Sequence, residues 1–333
     1  MLQVDGNIGA TLGEAGPRAK SAQGAGYTGV WTGETSHDPF LRLLLASEAT
    51  TDLEIGTSVA IAFARSPLTM ATLGRDLNDR SAGRLNLGIG SQVKAHIERR
   101  FSMPWSRPAA RMREYIAAMR AIWKSWQDGT PLDFRGDFYT HTLMPPMFAQ
   151  GPSDHGVPRL FLAAVGPEMT RVAAGSADGL LVHPFSTPAY IAEITTPLLE
   201  AGRADSTFQV SAPVFVATGT TEEEVQVAAL AARKQLAFYA STPSYRAVLD
   251  HHGWGDLQTE LTVLSKTGRW DDMAEAIDDG LLRTFAVVGE PSTIGAEVVR
   301  RYDGLVDRVN LYLPHAPAQD VVDQIARDIS TVE

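Results

Sequence analysis

The sequence predicts an α/β protein, a (β/α)8 TIM barrel with insertion segments at its C-terminal mouth. Three observations point there. Strand-like and helix-like segments alternate along the whole chain. Its 333 residues match a length that α/β barrels commonly reach. Small residues gather at the C-terminal ends of several strands, the end where such folds bind ligands. A doubly wound open sheet is the alternative arrangement. The expected organisation is one domain over 1–333, with insertions at about 93–158 and 242–290.

The expected strands are Leu2–Ile8, Thr28–Thr32, Leu53–Ala60, Arg84–Ile89, Arg159–Ala164, Gly179–His183, Phe208–Ala217 and Asp307–Leu313. Between them the apolar residues recur at helical spacing. From Pro108 to Trp126, the residues Met112, Tyr115, Ile116, Met119, Ile122, Trp123 and Trp126 share one face, with Arg111, Arg113, Arg120 and Lys124 on others. Pro67, Pro108 and Pro167 mark helix starts. Gly83 and Gly202 are expected just beyond helix ends. Residues 127–158 are rich in proline, glycine and aromatics, as an active-site wall would be, and 242–290 read as extra short helices.

Composition narrows the function. The chain has no cysteine, which removes disulfides, thiolate chemistry and Cys-ligated metals. Its net charge of −10 argues against general nucleic-acid binding. No apolar run is long enough for a membrane span and no signal peptide is visible, so a cytoplasmic location is expected. Within 93–113 the charge reverses: Lys94, Arg99, Arg100, Arg107, Arg111 and Arg113 face one acid, Glu98. That stretch is either a solvated loop and helix face or a landing strip for a polyanionic small molecule.

The segment from 53 to 92 reads strand, helix, strand, with Gly56, Thr57, Ser58 and then Gly88, Gly90, Ser91 late in each strand. Small residues there let a flat or phosphorylated ligand approach backbone N–H groups. The run Gly24–Gly29 matches G-x-G-x-x-G, but it leaves a helix and enters a strand, the reverse of a dinucleotide site. Gly88 and Gly90 follow a strand, but Val93 stands at the third glycine position. Ala163-Ala164-Val165-Gly166-Pro167 is better placed, since a strand turns there into a helix whose free N–H groups form an anion site. Glu34 and His37 follow the second strand as acid–base candidates, beside the alternative that Ser36 or Asp38 merely caps a helix. No metal site is expected. His251 and His252 have no evident partner in sequence, and His141, His155 and His183 read as structural. Hydrolase and phosphotransferase motifs are absent.

The runs Ile55–Val59, Leu87–Ser91, Ala163–Pro167 and Ala177-Asp178-Gly179, in that order, resemble the luciferase-like flavin and deazaflavin oxidoreductases. Ser91–Phe101 followed by Met103-Pro104-Trp105 resembles the actinobacterial branch that uses coenzyme F420, a family that includes methylene-tetrahydromethanopterin reductase. The resemblance runs from Asp5 to about Pro314. It implies a barrel with the cofactor ring at the mouth and a non-prolyl cis peptide between Ser58 and Val59. Carried over, Glu34, Thr57, Ser58, Val59, Gly90, Ser91 and Gln92 border the ring, and Ala164, Val165, Gly166, Pro167 and Glu168 hold the phosphate and its surroundings. Sugar-phosphate dehydrogenases of this type carry a histidine where this chain has Thr35 and a glutamate where it has Val93, so glucose-6-phosphate is not the expected substrate.

The expected function is therefore hydride transfer between C5 of F420 and a small organic substrate, with Glu34 and His37 as catalytic candidates. The alternatives are an FMN-dependent monooxygenase and a non-catalytic cofactor-binding barrel. A homodimer or higher homo-oligomer is expected, without nucleic-acid or membrane partners.

Overall fold

The computed structural model describes residues 2–9, 11–203 and 206–331. Eight parallel strands close into a barrel: β1 Gln3–Asn7, β2 Gly29–Thr32, β3 Glu54–Thr57, β4 Leu85–Gly90, β5 Arg159–Ala164, β6 Gly179–Val182, β7 Gln209–Thr218 and β8 Arg308–Tyr312. Closure is direct. β7 pairs β6 through Gln209–Ser211 and β8 through Ser211–Phe215, and β8 returns to β1 with Arg308 beside Gln3. All eight fall on the expected segments. Their outward residues are aliphatic because helices cover them, which is why parallel strands read as nearly continuous apolar runs.

The helices around the barrel include α1 Leu12–Ala25, α2 Pro39–Ala49, α3 Pro67–Arg80, α4 Pro108–Asp128, α5 Pro167–Ser176, α6 Glu222–Ala240, α7 Pro291–Tyr302 and α8 Gln319–Thr331, and a further helical segment, 188–200, joins β6 to β7. Their starts follow local chemistry. Asp38 caps α2 by accepting from the Phe40 N–H at 2.8 Å, and Ser66 caps α3 by accepting from Thr69 at 3.1 Å. Gly26, in the rejected glycine motif, is the left-handed cap of α1 at φ 87°. The expected apolar face of α4 is buried, from Met112 to Trp126. Gly202 does not adopt a left-handed cap. It is small because a Cβ there would lie 2.9 Å from the Ala174 Cβ.

Three stretches depart from expectation. β3 stops at Thr57, and after Ser58–Val59 a separate short strand, Ala60–Ile61, pairs with β4. The region read as extra helices does contain several, but it ends in a strand, Ala286–Gly289, that lies along the upper half of β7. Within 127–158 a small antiparallel hairpin pairs Phe134–Arg135 with Thr140–His141. Glu114 of α4 pins its turn by accepting from the N–H groups of Asp137, Phe138 and Tyr139.

The barrel interior divides into a polar base and an apolar floor. At the base, Arg308 donates twice to Asp5 at 2.9 and 2.7 Å and once to Glu54 at 2.6 Å, and Asn86 also donates to Glu54. Arg308 and the Asp5 side chain are fully buried. Above them Trp31, Phe161 and Leu181 pack together, with Val59 and Ala163 against them. This plug closes the barrel beneath the mouth.

Candidate active site at the barrel mouth

The loops expected to form a cradle meet at the mouth. The Ser58–Val59 peptide is cis, as the resemblance implied. Gly90 belongs to the same surface: a Cβ there would lie 2.9 Å from the Val59 Cγ2 and 3.7 Å from the Ala163 Cβ. Val59, Gly90 and Ala163 therefore form a contiguous shelf of small side chains over the Trp31–Phe161–Leu181 plug. Gly88 sits one step lower, where a Cβ would fall 1.9 Å from the Thr57 carbonyl oxygen. The Thr57 hydroxyl donates to the Gly88 carbonyl at 2.6 Å, so it ties β3 to β4 and is not offered to a ligand. Ser58 is exposed at the rim.

Glu34 is held in place. Its Oε2 accepts from the Ile61 N–H at 2.8 Å and from Arg65 Nη1 at 2.6 Å, and Arg65 also donates to Asp38 at 2.9 Å. The Glu34 N–H donates to the Val59 carbonyl at 3.1 Å. This carboxylate braces the turn after β3 against the loop after β2. His37 follows on the same loop, but it is exposed and makes no hydrogen bond or ion pair among the described residues.

After β4, Ser91 donates to the Gln92 carbonyl, and Gln92 adopts a left-handed φ of 59° while its side-chain oxygen accepts from the Val93 N–H. Arg100 reaches back to donate to the Thr35 carbonyl, so this loop covers the one bearing Glu34. After β5, Ala164 and Val165 lead to Gly166, which precedes Pro167 at the start of α5, and no side chain caps the free N–H groups of the first turn. The Glu168 side chain is exposed and paired with Arg171. Its backbone N–H belongs to that first turn.

The basic stretch divides. Arg111 is not on an exposed face. It is buried, donates to the Tyr139 hydroxyl at 2.7 Å and lies over the Phe63 ring. Arg107 pairs loosely with Asp137 and lies over Phe138. Lys94, Arg99 and Arg113 are exposed. The expected aromatic wall is only partly where sequence put it. Phe138 and Tyr139 pack on α4, but Leu143, Met147 and Phe148 face outward.

A wall that sequence reasoning missed stands at the end of β6. His183 stacks on Tyr245 at 4.3 Å and meets the edge of Tyr239 at 5.0 Å. The hydroxyls of Tyr239 and Tyr312 lie 3.1 Å apart, and Phe215 backs Tyr312 at 4.7 Å. The His183 Nδ1 accepts from the Phe185 N–H at 3.0 Å, and burial pushes the ring's pKa down to about 4. His183 also lines a narrow cleft with Ala164, Val165, Ser186 and Tyr190. His251 and His252 likewise have partners: His252 contacts the Thr187 hydroxyl at 2.8 Å and stacks on Trp254, and His251 approaches Glu193. Another cleft, of about 410 Å³, lies on the flank between α4 and α5, against Asp178 at the start of β6 and away from the mouth. Among the described residues, no group of three or more His, Asp or Glu is arranged to hold a metal ion, and no helix is long and apolar enough to cross a membrane.

A closed eight-stranded parallel barrel with a shelf of small side chains at its mouth is the (β/α)8 architecture, which hosts many chemistries at that end. The chain belongs to the luciferase-like monooxygenase family, whose model matches residues 2–308. It is 50% identical over 332 residues to an uncharacterized protein of Mycobacterium tuberculosis, covering 98% of this chain and 97% of that one. It is 25% identical over 302 residues to 5,10-methylenetetrahydromethanopterin reductase of Archaeoglobus fulgidus, covering 87% and 83%. In structure it resembles the coenzyme F420-dependent tetrahydromethanopterin reductase of Methanopyrus kandleri, with a TM-score of 0.77 and 18% identity over 99% and 98% of the two chains.

Proposed function

We propose that this chain is an F420-dependent oxidoreductase that transfers a hydride between the deazaflavin C5 and a small organic substrate. The observation that carries the reading is the shelf of Val59, Gly90 and Ala163, bordered by the uncapped first turn of α5. A flat ring fits against side chains this small, and an uncapped helix start favours a phosphate. A relative of Mycobacterium tuberculosis described as a putative coenzyme F420-dependent oxidoreductase, 28% identical over 81% of this chain and 82% of that one, supports the choice of cofactor. Bound F420 supplies a two-electron carrier whose C5 gives or accepts a hydride.

The protein's own contribution is orientation and exclusion of water. Ser58, Val59, Gly90, Ser91 and Gln92 would hold one face and edge of the ring. Backbone N–H groups of Val165, Gly166, Glu168 and Met169 would bind the phosphate. Lys94 and Arg99, exposed on the loop after β4, suit an anionic tail. Glu34 and Arg65 keep the turn after β3 in register with the loop after β2. The chain acts as one barrel domain. We further propose that it pairs with a second copy through the exposed leucines of α1 and α2, Leu12, Leu41, Leu44 and Leu45.

FMN is the alternative cofactor, and titration separates the two. Purified protein is titrated with F420 and with FMN while ring fluorescence is followed. Saturable F420 binding that is weakened in Gly90→Val, with FMN binding far weaker, supports the proposal. Tight FMN binding alone favours the monooxygenase reading, and binding of neither removes both.

A further inference from the structure

We infer that His183 is a substrate-binding residue: its Nε2–H, at the mouth beside the tyrosine wall, donates to the oxygen of a flat, apolar carbonyl substrate. This rests on the proposed hydride-transfer function and names the substrate class it would serve.

The direction of the side chain follows from its contacts. His183 lies one residue past the end of β6 and packs on Tyr245 and on Tyr239, the latter beside Phe215 and Tyr312. Its protonation follows from a hydrogen bond. Nδ1 accepts from the Phe185 N–H at 3.0 Å, which leaves the ring proton of the neutral imidazole on Nε2. Nε2 makes no hydrogen bond among the described residues, and the residue is partly exposed. The ring plane is fixed by Tyr245 on its face, with an interplanar angle of 28°, and by the edge contact with Tyr239 at 76°. Burial holds the ring neutral, with a pKa pushed down to about 4.

The result is a fixed, uncharged N–H donor set in aromatic surroundings. A neutral donor suits a neutral oxygen acceptor, because an unpaired anion there would be desolvated without a compensating charge. Tyr239 and Tyr312 pair their hydroxyls with each other, and both side chains remain partly exposed. Flat apolar ligands pack well on such surfaces. Val182 pairs with Ala164, so His183 stands beside the loop after β5 and against this wall.

The test uses cyclohex-2-enone and acetophenone as probes, with cofactor-free and F420-loaded full-length protein. Imidazole nitrogen NMR, with the His183 signals assigned by their loss in His183→Gln, is expected to show a ring protonated at Nε2 and still neutral at pH 6. Probe binding should shift the Nε2–H signal. His183→Phe should weaken ketone binding about ten-fold, the loss of one hydrogen bond, with the F420 Kd changed less than about two-fold. His183→Gln, whose amide also donates, should recover most of that loss. A ring protonated at Nδ1, equal loss of F420 and ketone affinity in His183→Phe, or unchanged ketone affinity would overturn the assignment. So would failure of the wild-type protein to bind either ketone in both forms. If neither F420 nor FMN binds, the cofactor reading fails, while the NMR and ketone titrations on cofactor-free protein still decide His183.

Discussion

Replacing Glu34 by glutamine removes one charge from a closed set of contacts and leaves the shape nearly unchanged. In the native protein Glu34 accepts from the Ile61 N–H and from Arg65, and little of either side chain in the pair is exposed, 9% for Glu34 and 14% for Arg65. The amide can still accept from Ile61. It can also accept from Arg65, because both bonds end on the same oxygen, but the negative charge opposite Arg65 is lost, and Arg65 keeps Asp38 as a partner. Losing that charge costs at most about 1.5–3 kcal/mol, the worth of a hydrogen bond between charged groups. Glu34→Ala also orphans the Ile61 N–H and should cost about 3–5 kcal/mol, the range for breaking a buried pair. Urea unfolding should show both midpoints falling in that order at unchanged slope. F420 affinity should fall with them, because the same contacts set the position of Val59. A Glu34→Gln protein with the wild-type midpoint would refute the brace. Lowered stability with unchanged F420 affinity would detach it from the cofactor site.

Three further outcomes are expected. His183 binds its proton only near pH 4 when folded but near 6.5 when unfolded, so its contribution to stability is complete above about pH 6.5 and is lost as pH falls toward 4. The loss is about 3 kcal/mol. Partly buried His141 and His252 act with the same sign, and a His183→Phe protein whose stability declines as steeply as wild type over that range would contradict it. An Arg99→Ala, Arg100→Ala double variant should bind F420 about two- to ten-fold more weakly and with less salt dependence, whereas unchanged affinity and salt slope exclude this stretch as the tail site. Leu41→Asp with Leu45→Asp should halve the mass seen in sedimentation, and a wild-type mass would place the subunit contact elsewhere.

The barrel was legible because each strand is short, aliphatic and bounded by turn residues, and because both faces of a parallel strand are buried. The strand Ala286–Gly289 escaped notice because it is brief and follows directly on a helix, Asp279–Phe285. Arg111 read as a surface cation because helical spacing places it beside an apolar face, not within it. Its burial depends on Tyr139 and the Pro104 carbonyl, which come from other elements. The cradle was legible for a different reason: Gly90 and the small residues around it are needed locally, where neighbouring strands come close. His183 gave no such signal. Its partners are a backbone N–H at Phe185 and two tyrosines far along the chain, which only the closed barrel brings together.

The most direct measurement is the paired fluorescence titration of purified protein with F420 and FMN. Hydride transfer through a deazaflavin predicts saturable F420 binding, weakened by Gly90→Val, with FMN binding at least about ten-fold weaker, a difference of about 1.4 kcal/mol. FMN binding more tightly than F420, or F420 binding that is indifferent to Gly90→Val, would contradict it.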